Sequence, residues 1–243
     1  MPPARAFARY SALLWFASCS MVFAAAPVRD WPEVPSPPGA STYWIAQYLE
    51  QNTVPMQIRG FDTPMTAAAV EDYYRKWFAD KAGFGASNIG GVRVLGARMG
   101  SYQVTVQLGA KPPGTVGRVS LAAVYESGET GQAGGKTERE RIESIGRGFP
   151  RPAGSQVISD TLSFDTGQRN RTIVLMNNVS IETNALYLRE QLLRLGWTLL
   201  QDRTVEAGQR SALVFRRGPE EMVVTIAKRE DAYIVISSQT TPD

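Results

Sequence analysis

The sequence predicts an α+β protein in which two similar modules follow each other along the chain. Two observations carry this prediction: a set of residues recurs at a nearly constant distance, and each half combines one amphipathic helix with several short alternating segments. Each module is expected to hold a mainly antiparallel sheet of about four or five strands, with one helix packed on one face.

The recurrence is visible in residues of distinctive type. Gly39 is echoed by Gly154, and Tyr73 by Tyr187, at distances of 115 and 114 residues. Because the distance hardly changes, these residues mark corresponding points in two copies of one pattern. The chain is therefore interpreted as a diverged duplication of one small fold.

The first half predicts one helix among strands. Thr63 is a suitable N-cap, because Pro64 behind it fits the first helical position. Apolar residues then recur at steps of three and four residues to about position 81, and Gly83 is a suitable end. Their aromatic members are interpreted as core rather than as a ligand groove. The predicted strands cover residues 56–61, 92–95, 102–108 and 118–125.

The second half repeats this order. Ser180 is the predicted N-cap of a helix that runs to about Leu195 and stops at Gly196. Leu195 is placed on the inner face of that helix, together with Leu188 and Leu192. The strands, joined by turns of hairpin length, cover residues 172–176, 198–203, 211–217, 222–228 and 233–237.

Composition divides the chain into five segments. Residues 27–39 contain several prolines and predict a semi-rigid spacer. The two modules are assigned to residues 40–125 and 152–243. Residues 126–151, rich in glycine and charge, predict a flexible linker with some helix in its charged part. Residues 1–26 form the remaining segment.

Residues 1–26 predict an export signal. A basic start is followed by an apolar run over residues 11–23, which is shorter than the roughly 20 residues that span a bilayer. Small residues favour cleavage after Ala24. The competing route is lipidation of Cys19 at a lipobox-like sequence, which is disfavoured because Phe16 stands where leucine is usual; a retained anchor is the third route.

The residue inventory excludes several chemistries. The chain has no histidine, and Cys19 is its only cysteine, which leaves neither the usual general base nor the usual zinc ligands. The net charge of +3 is spread along the chain and partly belongs to the predicted signal, whereas nucleic-acid binding needs a concentrated basic face. We therefore expect no metal, no cofactor and no nucleic-acid partner.

No catalytic residue is predicted. A glycosidase-like pair of acids is the remaining enzymatic arrangement, but each candidate acid has a structural explanation as a helix-end or turn residue. The cluster Tyr43, Trp44 and Tyr48 has no counterpart in the second half, and part of it is a candidate contact surface. The candidate acids are Asp62, Glu71, Asp72, Asp160, Asp165 and Glu182.

Taken together, these features predict a non-enzymatic envelope protein of a Gram-negative bacterium. It would be periplasmic or associated with the outer membrane, touching a membrane only through its signal or a lipid on Cys19. It would bind other envelope proteins through a free sheet edge, in a setting such as secretion or surface-appendage assembly. The alternatives are a small-molecule or glycan-binding module and a hydrolase that uses carboxylates. The sequence does not indicate an oligomeric state.

Overall fold

The computed structural model describes residues 30–124, 138–165, 167–205 and 209–242, and the predicted export signal with Cys19 lies outside them. Strands make up 58% of the described residues and helices 17%, so the fold is mostly β. In chain order the elements are β1 (Ser41–Gln51), β2 (Val54–Thr63), α1 (Ala67–Phe78), β3 (Ala82–Ile89), β4 (Val92–Met99), β5 (Tyr102–Lys111), β6 (Gly114–Ala123), α2 (Glu138–Ser144), β7 (Gln156–Asp165), β8 (Gln168–Asn177), α3 (Ile181–Arg194), β9 (Thr198–Val205), β10 (Arg210–Arg217), β11 (Glu220–Arg229) and β12 (Ala232–Pro242).

All twelve strands belong to one antiparallel sheet in the order β3-β4-β5-β6-β2-β1-β7-β8-β12-β11-β10-β9. The predicted α+β layout of two tandem modules is therefore wrong. Two strands that the sequence did not predict, β1 and β7, pair with each other at the centre through Leu49, Glu50 and Gln51 on β1. This pairing joins both halves of the chain into a single sheet, with only a few short helices beside it.

The strand order itself repeats within the sheet. Read inward from each outer edge, it is β3-β4-β5-β6-β2-β1 on one side and β9-β10-β11-β12-β8-β7 on the other, so each strand has a counterpart six places later in the chain. The recurring residues fall at matching points: Tyr73 lies in α1 and Tyr187 in α3, while Gly39 and Gly154 both adopt a positive φ. The sequence echo thus corresponds to a repeated strand order inside one sheet.

Both larger helices cover the same face of the sheet. α1 buries Val70, Tyr74 and Phe78 against the first six strands, and α3 packs on the other six in the same manner. Cross-strand partners share a face. Phe61 belongs to the first apolar cluster and Ile173 to the second. The cross-strand pairs that lead from β2 through β1 and β7 to β8 place both residues on the same face of the sheet, so the two clusters share that face.

Both ends of α1 differ from the predicted ones, whereas α3 begins where the sequence predicts. Thr66, not Thr63, caps α1, because Thr63 is still part of β2 and its buried hydroxyl accepts a hydrogen bond from the backbone of Met65. α1 also ends at Phe78, before Gly83. Ser180 caps α3 as predicted, but Leu195 at its far end is 50% exposed rather than internal.

The proline-containing segment ahead of β1 lies against α1. Its backbone carbonyls at Ser36 and Pro35 accept hydrogen bonds from the hydroxyls of Tyr73 and Tyr74 at 2.9 and 3.1 Å. Val34 is 3% exposed and belongs to the apolar cluster under α1. Residues 34–38 are thus held along the helix by both apolar and polar contacts.

The segment that leads into β7 also contacts the sheet. α2 lies within the stretch where the sequence predicts some helix, and Phe149 behind it is buried in the cluster under α3. The backbone N–H of Gly146 donates to the Asp160 carboxylate of β7 at 2.8 Å. No helix among the described residues is long and apolar enough to cross a membrane.

Candidate functional site

The centre of the sheet contains an incompletely paired strand. β1 pairs with β2 from Ser41 to Gln51, but with β7 only through its last three residues, from Leu49 onward. Residues 41–44 have no strand on their second side among the residues that the structure describes. We call these four residues the open edge, since their backbone borders a gap in an otherwise continuous sheet.

Two β-bulges in β1 set the length of the open edge. The register with β2 shifts between Trp44 and Ala46 and again between Ala46 and Leu49. A bulge adds a residue to one strand, bends it and increases its local twist. The regular part of the exposed backbone therefore stops at Trp44.

Exposed apolar side chains accompany the open edge. Tyr43, Trp44 and Ile45 are 54%, 48% and 50% exposed. The Tyr43 ring lies over Gly60, its partner on β2, in space that any Cβ at that position would fill. Trp44 pairs with Arg59 and so lies on the opposite, helix-bearing face. An aromatic side chain therefore stands on each face of the sheet beside the open edge.

The third residue of the predicted contact surface lies elsewhere. Tyr48 is only 5% exposed, and its hydroxyl donates to the Glu50 carboxylate at 2.6 Å. Its ring meets Phe164 of β7 edge to face, with centroids 5.6 Å apart. The structure thus places Tyr43 and Trp44 on the surface, while Tyr48 helps to join β1 to β7. A binding role for any of the three stays a prediction.

A polar cleft of about 480 Å³ lies beside the β1–β7 junction. Sequence reasoning missed it, because its walls come from β1, β7, β8, β12 and α2, which are distant along the chain. The only signal in the sequence was the alternation of Arg169 and Arg171, which places both side chains on one face of a strand. Its charged lining residues are Glu50, Arg141, Asp160, Arg169 and Arg171.

An ion pair braces one wall of this cleft. The Asp160 carboxylate accepts two hydrogen bonds from Arg171, at 2.9 and 2.7 Å, besides the one from the Gly146 backbone. Burial acts to raise the pKa of Asp160, but the hydrogen bonds from Arg171 and Gly146 outweigh it and lower the pKa below its usual value. Asp160 is therefore a charged anchor that fixes the orientation of Arg171.

The other charged groups of the cleft differ in how they are bound. Arg169 is exposed and makes no hydrogen bond or ion pair with the described residues. Glu50 accepts a hydrogen bond from Tyr48 but forms no salt bridge with a described cation. The cleft thus contains a guanidinium and a carboxylate that remain available to a ligand.

The candidate catalytic acids occupy separate places. Glu71 pairs with Arg75 and Arg93, whose hydrogen bonds lower the pKa of its carboxyl group against a smaller opposing effect of burial; the Arg93 bond has the largest effect. Asp62, near the end of β2, pairs with Lys111 of β5. Asp72 and Glu182 are exposed on α1 and α3, and the side chain of Asp165 lies outside the described part of the chain. Within the described residues, no three His, Cys, Asp or Glu side chains are grouped to hold a metal ion.

No protein-family model, no curated protein and no solved structure matches this chain. A function must therefore be inferred from the geometry of the open edge and of the polar cleft.

Proposed function

We propose that this protein is an exported, non-enzymatic binding protein of the bacterial envelope that holds a partner protein along the open edge of β1. The observation that carries the proposal is the second side of residues 41–44, which pairs with no strand in the described part of the chain and lies beside exposed Tyr43 and Trp44. The export signal predicted in residues 1–26 supports the location, in the periplasm or at the outer membrane.

Strand addition is the binding mode that fits this edge. An extended segment of a partner can pair with exposed backbone groups, and its alternate side chains then supply specificity. Proteins usually protect such edges, and bulges are one protective device. Here the bulges leave only four regular residues, so the edge suits one short segment rather than open-ended pairing of identical chains.

Trp44 and Tyr43 are suited to strengthen such a contact. Tryptophan and tyrosine are enriched among interface residues whose truncation costs about 2 kcal/mol or more. Both rings are about half exposed beside the edge, and they lie on opposite faces of the sheet. A strand added to residues 41–44 would therefore bury an aromatic ring on each of its own faces.

The residue inventory supports binding over catalysis. The chain has no histidine, and its single cysteine lies in the predicted signal. Three of the candidate catalytic acids, Asp62, Glu71 and Asp160, are held in ion pairs with arginine or lysine. In Glu71 and Asp160 the hydrogen bonds from arginine lower the pKa of the carboxyl group, which suits structural bracing better than proton donation.

Site-specific crosslinking in cells tests the proposal. A photocrosslinking amino acid at Thr42 should give a reproducible adduct with an envelope protein, and Trp44→Ala should weaken capture of that protein about tenfold or more. The matched control places the crosslinker at Ile89, which is 64% exposed on the outer strand β3. Equal adducts at both positions, or none at Thr42, would contradict the proposal.

Mass spectrometry of the mature N-terminus tests the location separately. Cleavage after Ala24 is expected, since small residues precede it. A lipid on Cys19 would change the mode of anchoring but keep the protein in the envelope. An intact Met1 would contradict both cleavage and lipidation and leave the retained anchor, and export is contradicted if that uncleaved protein fractionates with the cytoplasm of the native host.

A further inference from the structure

The central cleft lies on the helix-bearing face of the sheet, where neighbouring strands align polar side chains. Arg171 is paired with Leu162 of β7 on one side and with Gln239 of β12 on the other. Arg169 lies two residues away on the same face, opposite Thr241. α2 closes one side, and the volume of about 480 Å³ falls within the range of small-molecule sites, roughly 300–1,000 Å³.

The lining of this cleft carries a net positive charge, because it contains three arginines (Arg141, Arg169 and Arg171) and two acids (Glu50 and Asp160). Arg169 and Arg171 project from the same strand and face, but Asp160 binds only Arg171. One terminal nitrogen of Arg171 donates to Asp160 and to the backbone carbonyl of Arg147, whereas the other makes no hydrogen bond to the described residues. Both guanidinium groups line the cleft and retain donors that no described residue uses.

One of these arginines is already held in place. The paired hydrogen bonds to Asp160 fix the guanidinium plane of Arg171, and Gly146 fixes Asp160 in turn. A donor that is ordered before binding loses less conformational freedom when a ligand arrives. The planar fork of arginine matches the oxygens of carboxylates and phosphates.

The shared strand order argues that these arginines do not serve the fold alone. β2 and β8 are ten-residue strands at equivalent places in the sheet, and in β2 the matching positions hold Pro55 and Gln57. A strand in this place therefore needs no arginine there. Asp160 gives Arg171 a structural partner, but Arg169 has none among the described residues.

We infer that the cleft binds a small hydrophilic molecule through an anionic oxygen group, a carboxylate or a phosphate, held between Arg169 and Arg171. Glu50 and the hydroxyl of Thr53 line the same space and provide acceptors for donor groups elsewhere on that molecule. This site is distinct from the open edge of β1, and its occupancy does not depend on a protein partner.

Calorimetric titration with two probes, inorganic phosphate and succinate, tests the inference on the mature protein. At least one probe should bind with a dissociation constant below about 10 mM. Arg169→Gln should weaken that binding about tenfold or more, as expected for loss of a charge-assisted hydrogen bond. The matched control is Arg118→Gln, which removes an exposed arginine of β6 and should leave the affinity unchanged.

The two probes also separate the sources of the anionic group. Tighter binding of phosphate indicates a phosphorylated ligand, and tighter binding of succinate indicates a carboxylic acid. Circular dichroism confirms that both variants are folded. The inference is overturned if neither probe binds below about 10 mM, or if Arg118→Gln weakens binding as much as Arg169→Gln.

Discussion

Replacing Asp160 with asparagine should destabilise the protein much more than the same change at an exposed ion-paired aspartate. The Asp160 side chain is 13% exposed, and it accepts hydrogen bonds from Arg171 and from the backbone of Gly146. Asparagine keeps the shape but turns one acceptor oxygen into a donor and removes the charge. Arg171 then lacks its counter-ion at a position where it is itself only 31% exposed.

The magnitude follows from this burial. Breaking a fully buried ion pair costs about 3–5 kcal/mol, because one charge stays behind without a partner. Water reaches part of Arg171 and recovers some of that cost, so we expect a loss of about 2–3 kcal/mol in the free energy of unfolding. Urea unfolding followed by tryptophan fluorescence measures it. The matched control is Asp202→Asn, whose pair with Arg189 is exposed and should cost less than about 0.5 kcal/mol.

Low pH should remove the difference between wild type and Asp160→Asn. The folded-state pKa of Asp160 lies below its ordinary value of 3.8, so the unfolded chain takes up the proton first as the pH falls. The stabilisation is complete well above pH 3.8 and is lost as the pH falls towards the folded-state pKa. A loss below 1 kcal/mol at pH 7, or a difference that does not shrink at low pH, would refute this reasoning.

Three further substitutions test the packing around the sheet. Gly117→Ala should cost about 2–3 kcal/mol, because its new methyl group overlaps the buried ring of Phe61 in the core. Asn184→Ala should cost about 2–3 kcal/mol, since this fully buried amide bonds to another amide and to two backbone carbonyls at the start of α3. Tyr74→Phe should cost about 1 kcal/mol by removing the hydrogen bond to the Pro35 carbonyl. Thermal or urea unfolding measures all three.

The control for Gly117→Ala makes the same change beneath an exposed ring. Gly60→Ala also overlaps an aromatic ring, but Tyr43 is 54% exposed and can move aside, so a loss below about 1 kcal/mol is expected. Equal losses at Gly60 and Gly117 would show that ring burial does not decide the cost. Unchanged stability in Asn184→Ala would mean that the hydrogen bonds of this amide do not stabilise the fold. Unchanged stability in Tyr74→Phe would mean that the hydrogen bond from Tyr74 to residues 34–38 does not stabilise it either.

Most of the individual elements could be predicted from the sequence, but the architecture could not. Nine strands and both larger helices leave local signals: alternation in strands such as β5 and β11, and three- and four-residue spacing in α1 and α3. The sequence also predicts that the two halves contain these elements in the same order. What local patterns do not reveal is which strand edges meet, and in this chain the pairing of β1 with β7 converts two halves into one sheet.

The missed strands have identifiable causes. β1 and β7 each contain a register shift, which places successive apolar residues on irregular faces and breaks the alternation. β3 is an outer strand whose glycines and exposed side chains give no buried face to recognise. Because the candidate cleft needs β1 and β7 as neighbours, it could not be predicted without them. Tyr43, Trp44 and Tyr48 were selected because the second half has no counterpart to them, a criterion that does not separate buried Tyr48 from its two exposed neighbours.

Amide hydrogen exchange at residues 41–44 tests the central claim most directly. Because pairing with β2 uses alternate amides of an antiparallel strand, only the others point to the open side of residues 41–44. Those outward amides should exchange fast in the protein alone and become protected in its complex with the partner captured at Thr42, while the amides of outer strand β3 stay unchanged. If the partner binds but residues 41–44 gain no protection, strand addition at this edge is ruled out as the binding mode.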